Sequence, residues 1–376
     1  MAHRDQAEFG PARVVACARV RRMAFAAPLL AAFLLRATAG RAPELVERHF
    51  ARGIYPRLGG RLACLTSRAP LSIAELLIAL LAAASVAAVA FRWRKGRSPR
   101  PSGAARARRV VAVAGVAYLL FLVLWGLNYQ RQPLALSLGL DARPAAIDEL
   151  VATSQALIEE ANRLRVGLPE DAAGVMRLGD GLRGALGRVE AGFSTVANGM
   201  SVLGGACVRP KPILASALFS WLGISGIYSP FTGEANVNMD VPDPDLPFSA
   251  SHEAAHQRGL AREDEANYVA YRACRAHRDR DFQYSGVMAA GQYAVGALAG
   301  VDPSAARLQA ERRSAAVSRD LAAIRAWVAR HSGPAMALSE RVNDAYLRSQ
   351  GQAGGVRSYG RMVDLLIAER RPARVP

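Results

Sequence analysis

Two apolar runs near the start of the chain constrain it more than any other feature. Leu71–Phe91 is 21 residues long and is interrupted only by Ser72, Glu75 and Ser85, and Val110–Leu127 adds 18 residues without a charge. Each is long enough to cross roughly 30 Å of hydrocarbon as a helix. Buried helices of a soluble protein carry polar positions at helical spacing, and the second run has none. Tyr118, Trp125 and Tyr129 gather near its end, where an interfacial aromatic anchor is expected. A shorter run, Met23–Leu35, follows Arg19, Arg21 and Arg22. It resembles a signal-peptide core but lacks a convincing cleavage site, so the expectation is three spans, at about 23–38, 71–91 and 110–127.

Charge orients the spans. Of the net +17, residues 1–131 supply 21 Lys and Arg against 5 Asp and Glu, and residues 132–376 supply 27 against 26. A nucleic-acid-binding domain needs its basic excess on the folded part, and here that part is almost neutral. No nucleic-acid partner is expected. The link between the second and third spans holds Arg92, Arg94, Lys95, Arg97, Arg100, Arg106, Arg108 and Arg109, which places it in the cytoplasm. Residues 37–70 and everything after Tyr129 then lie outside, although 37–70 still carries six arginines. The reading is a multi-pass protein of the cytoplasmic (inner) membrane, with the lipid bilayer as its first partner.

After Pro133 the composition becomes that of a mixed globular segment. The chain divides into a membrane domain, 1–131, and an extracytoplasmic domain, 132–376. Helices are expected at Asp148–Arg165, Asp180–Val196, Tyr284–Leu298, Pro303–Arg330, Leu338–Ser349 and Tyr359–Arg370. Gly223–Asp240 reads as a hairpin or edge strands, and Ser249 as the N-cap of the next helix. The four cysteines form no CxxC pair. Cys207 and Cys274 are either buried thiols or, in an oxidising compartment, a pair.

That next helix carries the chemistry. His252-Glu253-Ala-Ala-His256 is an HExxH, with both imidazoles on one helical face, able to hold one Zn²⁺. Glu253 sits beside the first ligand and suits a general base acting on water. Gly259 is placed to end the helix in a left-handed cap, and a second helix begins near Arg262. If that helix folds back, Glu263, Ala266, Asn267 and Ala270 share a face. Glu263 is then the third ligand and Asn267 a partner that steadies a ligand or its water. Glu265 points about 160° away in an ideal helix, so both glutamates cannot serve. Arg262 stands where HExxHxxGxxH enzymes carry a third histidine, and it cannot ligate. His277 and His331 lie outside any ligand spacing.

HEAAHQRGLAREDEANYVAYRAC, the upstream KPILASALFSWLGISGIYSPFTGEANVN and PELVERHFARGIYPRL, and the downstream RVNDAYLRSQGQAGGVRSYGRMVDLLI together resemble a bacterial membrane family catalogued as domain of unknown function 3810. The likeness covers nearly the whole chain and implies fold and topology more than activity. More distantly, the ExxAN of Glu263, Ala266 and Asn267 is similar to the third-ligand helix of gluzincin peptidases, here only six residues beyond His256. Gluzincins bind substrate along an edge strand beside the zinc helix, which this resemblance carries to Ile227–Asn238, where Glu234, Asn236 and Asn238 either line a cleft or form a turn.

The expected fold is mainly α: three transmembrane helices, then a helical zincin-like domain with a small hairpin or edge strands. The expected function is a membrane-anchored zinc metallopeptidase acting on a peptide or protein substrate. His252, His256 and Glu263 hold the metal, Glu253 is the base, and Tyr346 or Tyr359 stabilises the oxyanion. The alternative is a non-catalytic membrane-anchored binding or assembly protein with a structural or vestigial metal site.

Overall fold

The computed structural model describes residues 24–95, 102–197, 200 and 209–371. Met23, Arg19, Arg21, Arg22, Arg97, Arg100, Cys17 and Cys207 lie outside them. The described chain is mainly helical, and two of its helices are long and apolar enough to cross a membrane: α3 (Ile73–Arg94) and α4 (Gly103–Leu124). Helix α1 (Ala27–Gly40) counts as a third if the bent pair it forms with Pro43–Thr66 is one span; the two limbs meet at 99°. The second limb passes through π-helical turns at Val46–Ile54 into α2 (Tyr55–Thr66).

Helices α1 and α4 run side by side in the same direction. Leu29 backs onto Gly115, the Phe33 and Tyr118 rings lie 5.8 Å apart, and Gly40 meets the Gln130 side chain. Two parallel helices in one chain require a return path, and α3 lies between them in sequence. The N-terminus of α3 is held by the domain: Ser72 Oγ caps Glu75 N, Glu234 accepts from the Ile73 and Ala74 amides, and Glu75 accepts from those of Leu214 and Ala215. Carboxylates at a helix N-terminus satisfy amides that have no partner within the helix. Lys211 completes the joint by pairing with Glu234 and donating to the Thr66 and Leu71 carbonyls.

The domain packs α5 (Ile147–Arg165), α6 (Gly181–Ala197), α8 (Leu246–Gln257), α9 (Glu263–Arg275), α10 (Arg280–Ala299) and α14 (Met362–Arg370) around one apolar core with Phe193, Tyr268 and Tyr284 fully buried. The expected helix over Pro303–Arg330 is two helices, α11 (Pro303–Glu311) and α12 (Ala315–His331). Ser314 caps Val317 N and starts the second one afresh. Helix α13 (Pro334–Ser349) follows. Helix α8 begins at Leu246 rather than after Ser249, because Pro247 presets the first turn; Ser249 instead donates its hydroxyl to Asp245.

The hairpin is part of a three-stranded sheet. Strand β3 (Glu234–Val237) lies between β1 (Lys211–Pro212), to which it is parallel, and β2 (Gly226–Ser229), to which it is antiparallel. Short α7 (Ser216–Trp221) connects β1 to β2. Of the segment Ile227–Asn238, only the β2 part is an edge. Glu234, Asn236 and Asn238 are buried: Glu234 accepts from the Ile73 and Ala74 amides, Asn236 and Asn238 donate to the Ile227 and Ile224 carbonyls, and Asn238 Oδ1 also accepts from the Asp240 amide, so of the two expected readings the turn holds for Asn238.

Candidate metal centre

His252 and His256 stand one turn apart on α8, with ring centroids 4.5 Å apart. The helix ends in Gly259, whose φ of +91° favours a residue without a side chain. The chain then reverses into α9, which opens with Glu263. One carboxylate oxygen of Glu263 lies 3.2 Å from His252 Nε2 and 3.3 Å from His256 Nε2, and the three ligand atoms all fall within 4.8 Å of one another. This group could hold a metal ion, and all three residues are buried.

The surroundings fit a metal. His252 Nδ1–H donates to Asn267 Oδ1 at 2.7 Å and His256 Nδ1–H to the Leu260 carbonyl at 2.6 Å. Each bond commits the far ring nitrogen and leaves Nε2 facing the common point, which is how ligating histidines are held. Asn267 is fixed in turn by donating to Tyr359 O. Replacing Asn267 by Ala is therefore expected to weaken metal affinity about 10- to 100-fold, measured against a competing chelator; unchanged affinity would show that the bond steadies nothing.

Glu253 is buried beside this group, and one of its carboxylate oxygens has no hydrogen-bond partner. Gly226 of β2 presses on it: a Cβ there would lie 2.5 Å from Glu253 Cγ. Burial pushes the Glu253 carboxyl up, against the opposing pull of the two imidazoles. For Glu263 burial acts in the same sense, but the imidazoles outweigh it and hold the carboxyl at about 2. Burial opposes charging of His256, yet Glu263 beside it raises the imidazole to about 9. A metal therefore competes with a proton on His256 at neutral pH. Metal affinity is expected to rise about tenfold per pH unit towards pH 9, with proton release on binding. Calorimetry in buffers of different ionisation heat measures this, and a pH-independent affinity would contradict it.

Glu265 faces away from this group, as expected: it accepts from the Leu134 amide at 2.7 Å and pairs with Arg262. His277 bonds the Arg188 carbonyl and the Asp279 amide, and His331 the Trp327 carbonyl. Cys274 is a free buried thiol against Ser251. Tyr359 lies over His252 at 6.0 Å, nearly parallel, whereas the Tyr346 hydroxyl bonds that of Tyr129.

Sequence reasoning missed the collar that joins this centre to the apolar helices. Trp125, directly after α4, meets His256 edge-on at 5.8 Å. Tyr55 is buried, and its hydroxyl bonds Tyr228 OH and the Gln257 carbonyl. Arg131 pairs with Glu47 and donates to the Gly259 carbonyl. Trp125 and Tyr129 were legible only as interfacial aromatics; nothing local ties them to an imidazole in residue 256.

The family model described as "Protein of unknown function (DUF3810)" matches residues 50–367. No curated protein and no solved structure matches the chain.

Proposed function

The chain belongs to the DUF3810 family, whose description carries no activity, and from the site itself we propose that it is a zinc-dependent metallopeptidase of the cytoplasmic membrane with a zincin-like extracytoplasmic domain. The observation that carries this reading is the convergence of two imidazole nitrogens and one carboxylate oxygen beside a second, buried carboxylate, that of Glu253. Two nitrogens and an oxygen suit zinc, and three protein ligands leave a position for water, as catalytic sites do. When bound, zinc supplies a Lewis acid and acidifies that water.

The rest of the chemistry belongs to the chain. Glu253 accepts the proton of the attacking water at its unpartnered oxygen and returns it to the leaving amine; its burial strengthens it as a base. The edge of β2 takes the substrate backbone in strand register, and Gly226 lets that strand approach Glu253. Tyr359, whose ring lies over His252, is the tyrosine assigned to donate to the developing oxyanion.

The contact of Trp125 with His256 ties the centre to the end of α4, so the preferred substrates are peptide segments close to the bilayer surface. All three apolar helices are read as spans, with the parallel course of α1 and α4 and the return through α3 in support. The basic link before α4 supports a cytoplasmic position for that link. A reporter fused after Tyr129 is expected outside and one near Gly103 inside; the reverse pattern would overturn the topology.

The activity is tested with the full chain in detergent and a quenched fluorescent peptide pool. Cleavage that a chelator stops and Zn²⁺ restores supports the proposal. Cleavage indifferent to the chelator, or none with zinc bound, refutes it.

A further inference from the structure

The limb Pro43–Thr66 lies along a bilayer surface if the spans are as proposed. Its N-terminal end follows α1 after two residues, and its C-terminal end leads within seven residues to the start of α3. Its C-terminal end is therefore held where the candidate span α3 begins, and the 99° bend turns the limb away from the direction of α1. One side of it is buried: Val46, Phe50, Tyr55 and Ala63 face inward, and Tyr55 reaches the carbonyl of Gln257 on the metal helix.

The outward side combines two kinds of residue. Leu45, Ile54, Leu58 and Leu65 are exposed large apolar side chains. Among them are exposed Arg48, Arg57 and Arg61, with exposed Arg68 two residues past the end of the limb, and among the described residues no carboxylate lies within ion-pair distance of any of these four. Arg52 differs, because it pairs with Glu47. Arg57, Arg61 and Arg68 also line one concavity of about 520 Å³, together with Pro56, Gly60 and Leu65. Apolar side chains that enter the acyl boundary, beside long basic ones that reach the phosphate layer, are the composition of a helix lying in a membrane interface. A guanidinium matches two phosphate oxygens at once, which an ammonium does not.

We propose that this helix binds anionic phospholipid headgroups of the leaflet next to the domain, with Arg57, Arg61 and Arg68 closing around the lipid phosphate. The same contact sets the height of the metal centre above the bilayer, because Tyr55 and the Glu47–Arg131 pair join this helix to the C-terminal end of α8. It also accounts for three of the six arginines in a segment placed outside, where the topology reading expects few. The inference rests on the membrane placement and not on hydrolysis.

The test uses the full chain in proteoliposomes of phosphatidylcholine containing trace spin-labelled phosphatidylglycerol or spin-labelled phosphatidylcholine. Electron paramagnetic resonance reads the motionally restricted fraction of each. The parent is expected to favour phosphatidylglycerol about fivefold or more, with the preference falling as salt is raised. The R57Q/R61Q/R68Q variant loses the preference while keeping the parental metal content, and R57K/R61K/R68K retains part of it. Equal restriction of both lipids by the parent, or an undiminished preference in the glutamine variant, overturns the proposal. Inorganic phosphate that abolishes the preference at constant ionic strength assigns the cavity to free phosphate and also overturns it. If the glutamine variant does not fold, the salt series on the parent and the lysine variant decide.

Discussion

Replacing Glu253 by Gln is expected to lower peptide hydrolysis by about 10²- to 10⁴-fold while the chain keeps its metal. The amide preserves the shape that fits against Gly226 but cannot take a proton from water. Because Glu253 is not among the three grouped ligands, nothing that holds the metal is removed. Parallel measurement of turnover and metal content separates the outcomes. Loss of both would make Glu253 a ligand or a structural residue, and full turnover would remove it from the proposed role of base.

The second large effect lies in the ligands. His252→Ala, His256→Ala and Glu263→Ala each delete one of three donors, so each is expected to abolish stoichiometric metal binding. Glu265→Ala is the informative contrast, two residues from Glu263 on the same helix. It leaves the Leu134 amide without its acceptor, so it should lower stability by about 1–3 kcal/mol yet retain the metal. Thermal unfolding with metal analysis reads both quantities. If Glu265→Ala lost the metal and Glu263→Ala kept it, the roles drawn from α9 would be reversed.

The His252, His256 and Glu263 group was legible because it is local. Helical periodicity puts His252 and His256 on one face, Gly259 ends the helix, and the phase of α9 separates Glu263 and Asn267 from Glu265. Those relations need about 16 residues of chain and two helical turns, which spacing alone supplies. The apolar runs were legible for the same reason, since length and composition suffice for a span. What escaped were the pairings between distant segments. Glu234 looked like a candidate for a cleft, but its carboxylate caps a helix that starts at residue 73. Ser249 looked like a cap, but Pro247 had already begun the helix. Trp125, Tyr55 and Arg131 come from segments more than a hundred residues before the metal helix, and no periodicity links them to it. The helical limb after Gly40 and its sharp bend were equally hidden, because charge identified residues 37–70 only as a segment between two spans.

The most direct test of the central claim is the metal content of the full chain, purified in detergent without chelator and measured by elemental mass spectrometry alongside its His256→Ala variant. Close to one zinc per parent chain and almost none in the variant are expected. A parent without zinc after exposure to it, or a variant that holds as much as the parent, would contradict the claim.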